Sequence, residues 1–72
     1  MAIINPYDYN FSREEWCELI DSYIFSERDR AVLKRRLLDT VVFEKLAEEF
    51  GLSTVQVKRI VKYTSRQLFK HL

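Results

Sequence analysis

Glycine and proline are nearly absent: Gly51 and Pro6 are the only ones in 72 residues. A sheet protein of this length needs turn residues roughly every ten positions, so the chain is expected to be almost entirely helical. Cys17 is the only cysteine and His71 the only histidine. That excludes an internal disulfide and leaves no set of soft ligands for a structural zinc; neither a metal nor a cofactor is expected. No apolar run approaches the roughly 20 residues of a membrane span. The first ten residues also lack the basic start and apolar centre of a secretory signal. A cytoplasmic protein without a membrane partner is therefore expected, built as one small domain with no room for a second core.

What is present is a mixture suited to a small soluble core, 47% hydrophobic and 32% charged, which argues against disorder. The net charge of +1 hides an uneven distribution. Residues 1–27 carry six acids against Arg13, a net −5, whereas residues 28–72 carry 11 Lys and Arg against five acids, a net +6. Residues 51–72 contain Lys58, Arg59, Lys62, Arg66 and Lys70 and no acid. A basic block of this kind suits either a polyanion partner or plain solvation.

Periodicity divides the chain into an arm and four helices. Residues 1–11 read as an aromatic arm, with Tyr7, Tyr9 and Phe11 expected to lie on the helices that follow. Residues 12–72 read as one helical domain. Ser12 and Glu15 form a capping box, and Trp16, Leu19, Ile20, Tyr23 and Ile24 then repeat at steps of three and four, the mark of one buried stripe. Ser26 caps a second helix with Glu27 and Asp29 in its first turn. This helix is expected to end at Asp39 and Thr40, with Ala31, Leu33, Leu37 and Leu38 inward and Val32 meeting the arm or the first helix. A short third helix is expected from about residue 42 to 50, turning Phe43, Leu46, Ala47 and Phe50 inward. Gly51 stops it in the left-handed conformation. Ser53 caps a fourth helix over 54–71, whose inward stripe is Val57, Ile60, Val61, Thr64 and Leu68.

A short helix, a three-residue turn opening on glycine and a longer helix make the pattern of a helix-turn-helix, spanning residues 43–62. Its crossing needs a small residue and apolar residues on both facing sides, which Ala47, Leu46, Phe50, Leu52, Val57 and Ile60 supply. A plain helical hairpin has the same outline. On the side of the fourth helix away from Val57 lie Val55, Arg59, Lys62, Arg66 and Lys70, with Gln56, Lys58 and Tyr63 on the flanks. A major groove about 12 Å wide admits the first two turns of such a helix. Thr54, Val55, Gln56, Lys58, Arg59 and Lys62 are therefore the candidates for reading bases: Arg59 would suit guanine, Gln56 adenine and Val55 a thymine methyl. Ser53, Tyr63, Arg66 and Lys70 are the candidates for phosphates.

Residues 27–62, ERDRAVLKRRLLDTVVFEKLAEEFGLSTVQVKRIVK, resemble region four of bacterial sigma factors, the domain that recognises the −35 promoter element. The likeness runs without a gap through ERDRAVL, LLD, LAEEFGLS and the VK of the last helix, and more loosely to Leu68. Small phage-type and Firmicute proteins built on this domain alone are also similar. Thr40 stands where that family usually has glycine, and Val42 where it usually has a capping Ser or Thr. The resemblance implies a standalone regulator of transcription, not a complete sigma factor, that binds double-stranded DNA and touches RNA polymerase through the first two helices.

A second function class is a protein-interaction module that keeps this fold and binds RNA polymerase or another regulator; the acidic, aromatic-rich first third supports it. An enzyme is not expected. Glu14 with Glu18, and Glu44 with Glu48, are carboxylates at helical spacing on exposed faces with no His, Ser or Cys organised beside them. Cys17 reads as a boundary residue and His71 as solvated. Both a monomer and a homodimer are compatible with the sequence, the dimer through Phe69 and Leu72.

Overall fold

The computed structural model describes residues 10–72, and the aromatic arm before them, with Tyr7 and Tyr9, lies outside the described residues. Four helices follow in order: α1 (Arg13–Tyr23), α2 (Glu27–Leu37), α3 (Phe43–Phe50) and α4 (Thr54–Phe69). No strand occurs among the described residues, so the domain is all-α.

Three of the four helices begin where the sequence supplies a serine acceptor for unpaired amides. The Ser12 Oγ accepts from the Glu15 amide at 3.1 Å while Glu15 Oε1 accepts from the Ser12 amide at 3.1 Å. At α2, Ser26 Oγ accepts from the Asp29 amide. Val42 precedes α3 and offers no side-chain cap. The C-terminus of α1 has no basic residue of its own. Arg30 of α2 fills that role, donating from Nη2 to the Asp21 carbonyl at 2.8 Å and from Nε to the Ile24 carbonyl. A guanidinium there both satisfies terminal carbonyls and opposes the negative end of the helix dipole.

The buried residues fall into two clusters. Trp16, Ile20, Ile24, Leu33, Leu37 and Leu68 form the first; Val32, Leu46, Ala47 and Val57 form the second. Val32 thus packs with α3 and α4 and not with the first helix, a correction to the sequence expectation. Successive residues lie about 100° apart on a helix, so Leu33 and Val32 face different neighbours, and α2 is covered on two sides. α4 also threads both clusters, Val57 in one and Leu68 in the other. Phe69 packs against the first cluster, its ring 5.8 Å from that of Trp16. Phe11 meets Trp16 edge-on at 5.2 Å.

Two helix ends differ from the sequence reading. α2 stops at Leu37, short of Asp39 and Thr40, because the chain turns there through a left-handed residue, Thr40, at φ 52°. That turn lets the Val41 amide return to the Arg35 carbonyl at 3.2 Å. α4 stops at Phe69, two residues before His71. His71 is not simply solvated: its ring stacks on Tyr23 at 4.1 Å, with 5° between the planes. Gly51 also takes the left-handed conformation, at φ 64°, and closes α3 as expected.

A β-branched residue at positive φ is a strained exception. The left-handed region costs a non-glycine residue roughly 1 to 2 kcal/mol, against roughly 0.5 to 1 kcal/mol of extra chain entropy for glycine. Thr40→Gly is therefore expected to stabilise the domain, raising its melting temperature by about 2 to 8 °C at the usual scaling for a domain of this size. A lower melting point would show that Thr40 is held there without strain.

Exposed ion pairs tie the first three helices together. Arg13 of α1 reaches Asp39 at 2.7 Å, Asp39 also meets Arg35 at 3.2 Å, and Arg35 meets Glu49 of α3 at 2.5 Å. Hydrogen bonding from Arg13, then Arg35, holds the Asp39 carboxyl below its ordinary pKa, and Arg35 does the same for Glu49. Each such pair is solvated and individually weak; the chain of them fixes the corner where α2 gives way to α3. Among the described residues, no helix is long and apolar enough to cross a membrane.

Candidate nucleic-acid interface

α4 is set on the body of the domain by its own sequence. Ser53 and Gln56 close a reciprocal capping box, Ser53 Oγ accepting from the Gln56 amide at 3.1 Å and Gln56 Oε1 accepting from the Ser53 amide at 2.9 Å. Gly51 and Leu52 make the turn before it. Leu52 packs on the second cluster, and its amide donates to the Ala47 carbonyl at 2.9 Å. Val57, Thr64 and Leu68 are buried, with Ile60 and Val61 half-buried beside them. Thr64 sits in this apolar stripe at no cost in unmet hydrogen bonds, because its hydroxyl donates to the Ile60 carbonyl at 2.7 Å.

Burying that stripe turns the rest of α4 outward. Val55, Gln56, Lys58, Arg59, Lys62, Tyr63, Arg66 and Lys70 are all exposed, as is Ser53; Thr54 is half-buried. Val55 keeps 59% and Tyr63 75% of its surface open, large fractions for an apolar and an aromatic side chain. The base-reading and phosphate candidates therefore share one continuous surface, with Thr54 at its edge.

The charges on this surface differ from those in the first half of the chain. Arg13, Arg28, Lys34 and Arg35 each meet a carboxylate, and Arg30 is held by the α1 carbonyls. Among the described residues, none of Lys58, Arg59, Lys62, Arg66 and Lys70 forms an ion pair. Cations of the first half are thus spent on internal structure. Those of α4 form an uncompensated ridge, and with no acid in the first turn the positive end of the helix dipole adds to it.

Two side chains have constraints that the sequence did not show. Gln56 holds its amide oxygen on the Ser53 amide, which leaves its NH2 group as the part free to meet a ligand. Lys58 leans toward α3, its Nζ 5.7 Å from the centre of the Phe43 ring, and the Arg36 guanidinium lies 4.2 Å from the same ring. Arg36 also donates from Nη1 to the Val41 carbonyl at 3.1 Å. The sequence pattern assigns Arg36 no role at the site. Its approach to the same ring as Lys58 follows the turn at Thr40, which no periodicity reveals. Phe43 of α3 thus carries cations from both α2 and α4 on its ring.

Comparison with family models, with curated proteins and with solved structures finds no match to this chain.

Proposed function

We propose that this chain is a sequence-specific DNA-binding regulator of transcription, with α3 and α4 serving as a helix-turn-helix and α4 entering the major groove. The observation that carries the reading is the exposed surface of α4: five cations without carboxylate partners among the described residues, four of them on the side opposite the buried stripe and Lys58 on its flank. No bond is made or broken in this function. Lysines and arginines displace counterions from phosphates, and the first turns of α4 offer donors and a methyl-bearing side chain to base edges. Arg59 is the base-reading side chain best matched to a bidentate contact with guanine. Arg66, Lys70 and Tyr63 lie too far along the helix to read bases and suit phosphates. Arg36 joins them from α2, since the first helices of such a unit run beside the backbone. The likeness to sigma region four supports the same reading and extends it to a promoter element and to RNA polymerase as a second partner.

Salt dependence tests this directly. With about five cations on phosphates, log affinity is expected to fall against log salt with a slope near −4.5, an affinity loss of about 500-fold between 50 and 200 mM salt. Fluorescence anisotropy on a labelled duplex measures it. Arg36→Gln should make the slope shallower by about 0.9 on any sequence. Failure of the native chain to bind duplex DNA at 50 mM salt would remove the reading.

A further inference from the structure

The acids of α1 stand in a pattern that complements the α4 ridge. Glu14, Glu18 and Asp21 are exposed, and with Trp16 at zero they project at about 160°, 200° and 140° at 100° per residue. Arg59, Lys62 and Arg66, measured from Val57, project at about 200°, 140° and 180°. Each set is therefore the outermost ridge of its helix, opposite its buried stripe. The spacings match as well. Going up α1 the acids are separated by four and then three residues; going down α4 from Arg66 the cations are separated by four and then three. Laid antiparallel, the two ridges put Glu14 against Arg66, Glu18 against Lys62 and Asp21 against Arg59. Among the described residues Glu14 and Glu18 have no ion-pair partner, and Asp21 has only Lys34, at 2.8 Å.

We infer that the acidic ridge of α1 is a docking surface for the α4 ridge of a second copy of this chain. Both helices bury their stripes in the core they share, so on one molecule the two ridges point away from it. Such a contact is heterologous and builds head-to-tail chains instead of a closed dimer. Three solvated ion pairs are individually weak and sensitive to salt, so association is confined to low ionic strength and high protein concentration. Since it uses the same cations as the proposed DNA contact, a duplex and a second copy exclude one another from α4. The surface requires only that the ridge be open, and it stands whether or not the chain binds DNA.

Sedimentation velocity of the full chain, with charge-swapped variants, tests it. In 20 mM salt the native chain should show a sedimentation coefficient that rises steadily with concentration up to about millimolar, and that returns to the monomer value in 300 mM salt. The variants E14K/E18K and K62E/R66E, both altered only at exposed positions and checked for helicity by circular dichroism, should each be monomeric alone. Mixed, they should associate, because one carries two basic ridges and the other two acidic ones. E44K/E48K, with the same change of charge on α3, should associate as the native chain does. A native chain that stays monomeric throughout, a silent mixture, or an equal loss in E44K/E48K would each overturn the inference. Anisotropy on duplex DNA separates the two proposals: E14K/E18K should bind DNA at least as tightly as the native chain, and K62E/R66E should lose binding.

Discussion

Leu46→Ala is expected to melt about 10 to 30 °C below the native chain, or to fail to fold at all. Leu46 is fully buried, in contact with Val32, Ala47 and Val57. Removing a buried leucine side chain typically costs about 2 to 5 kcal/mol, part of it lost transfer energy and part the cavity left behind. A domain of this size has little margin: roughly 0.05 to 0.15 kcal/mol per residue gives a total of about 4 to 10 kcal/mol. The second cluster has only four buried members, three of them fully buried, so the loss of one leucine removes a large share of its core. α2 and α4 each contribute to both clusters, so the loss at Leu46 is expected to reach Trp16 in the first. Trp16 fluorescence and far-ultraviolet circular dichroism should then fall in one transition. Val42→Ala is the matched control, since Val42 is 55% exposed and such surface changes usually stay within about 0.5 kcal/mol. A Leu46→Ala protein that melts like the native chain would mean that α3 does not pack against α4 as described.

Arg59→Ala should lose about 5- to 150-fold in affinity for its best duplex, the equivalent of about 1 to 3 kcal/mol for a bidentate base contact. On random duplex of the same length the loss should be at most about threefold, because a side chain that meets base edges contributes little to the phosphate term. Arg59 is exposed and its packing is not at stake, so folding is expected to be unchanged. Arg59→Lys distinguishes charge from geometry. Lysine keeps the charge but has no planar fork, so binding to random DNA should survive while the preference at one base pair relaxes. Selecting duplexes from a random pool identifies the preferred sequence, and competition anisotropy then gives both numbers. Equal losses on selected and random DNA would assign Arg59 to phosphates.

The helices were legible in the sequence because their signals are local. Ser12, Ser26 and Ser53 mark three starts, Gly51 marks a stop, and the 3.6-residue repeat of the apolar positions separates buried from exposed faces. Two of those serines have a Glu or Gln three residues on, and both boxes form. The exposed face of α4 followed from the same repeat, with no knowledge of the tertiary arrangement. What the sequence could not show depends on how elements meet. Val32 breaks the single-stripe pattern of α2 because α2 is covered on two sides, and a one-dimensional repeat cannot say which helix covers which face. Arg30 caps α1 from another helix, nine residues beyond the carbonyl of Asp21. Thr40 takes a conformation its own propensity disfavours, imposed by the tertiary turn, so α2 ends sooner than its composition suggests. Arg36 meets the Phe43 ring, which Lys58 also approaches, across that turn. Gln56 was read as a reader of adenine from its position on the wheel; its sequence relation to Ser53 was also a capping signal, the same pattern recognised at Ser12 and Glu15.

Amide chemical shifts of the isotopically labelled chain, followed while an unlabelled selected duplex is added in 50 mM salt, locate the bound surface residue by residue. At a protein concentration where the chain is monomeric, the expected result is a continuous set of perturbed amides over residues 53–62, weaker changes at Arg36, Arg66 and Lys70, and undisturbed signals on the outer ridge of α1. Perturbations centred on Glu14, Glu18 and Asp21, or none along α4, would contradict a nucleic-acid interface on the last helix.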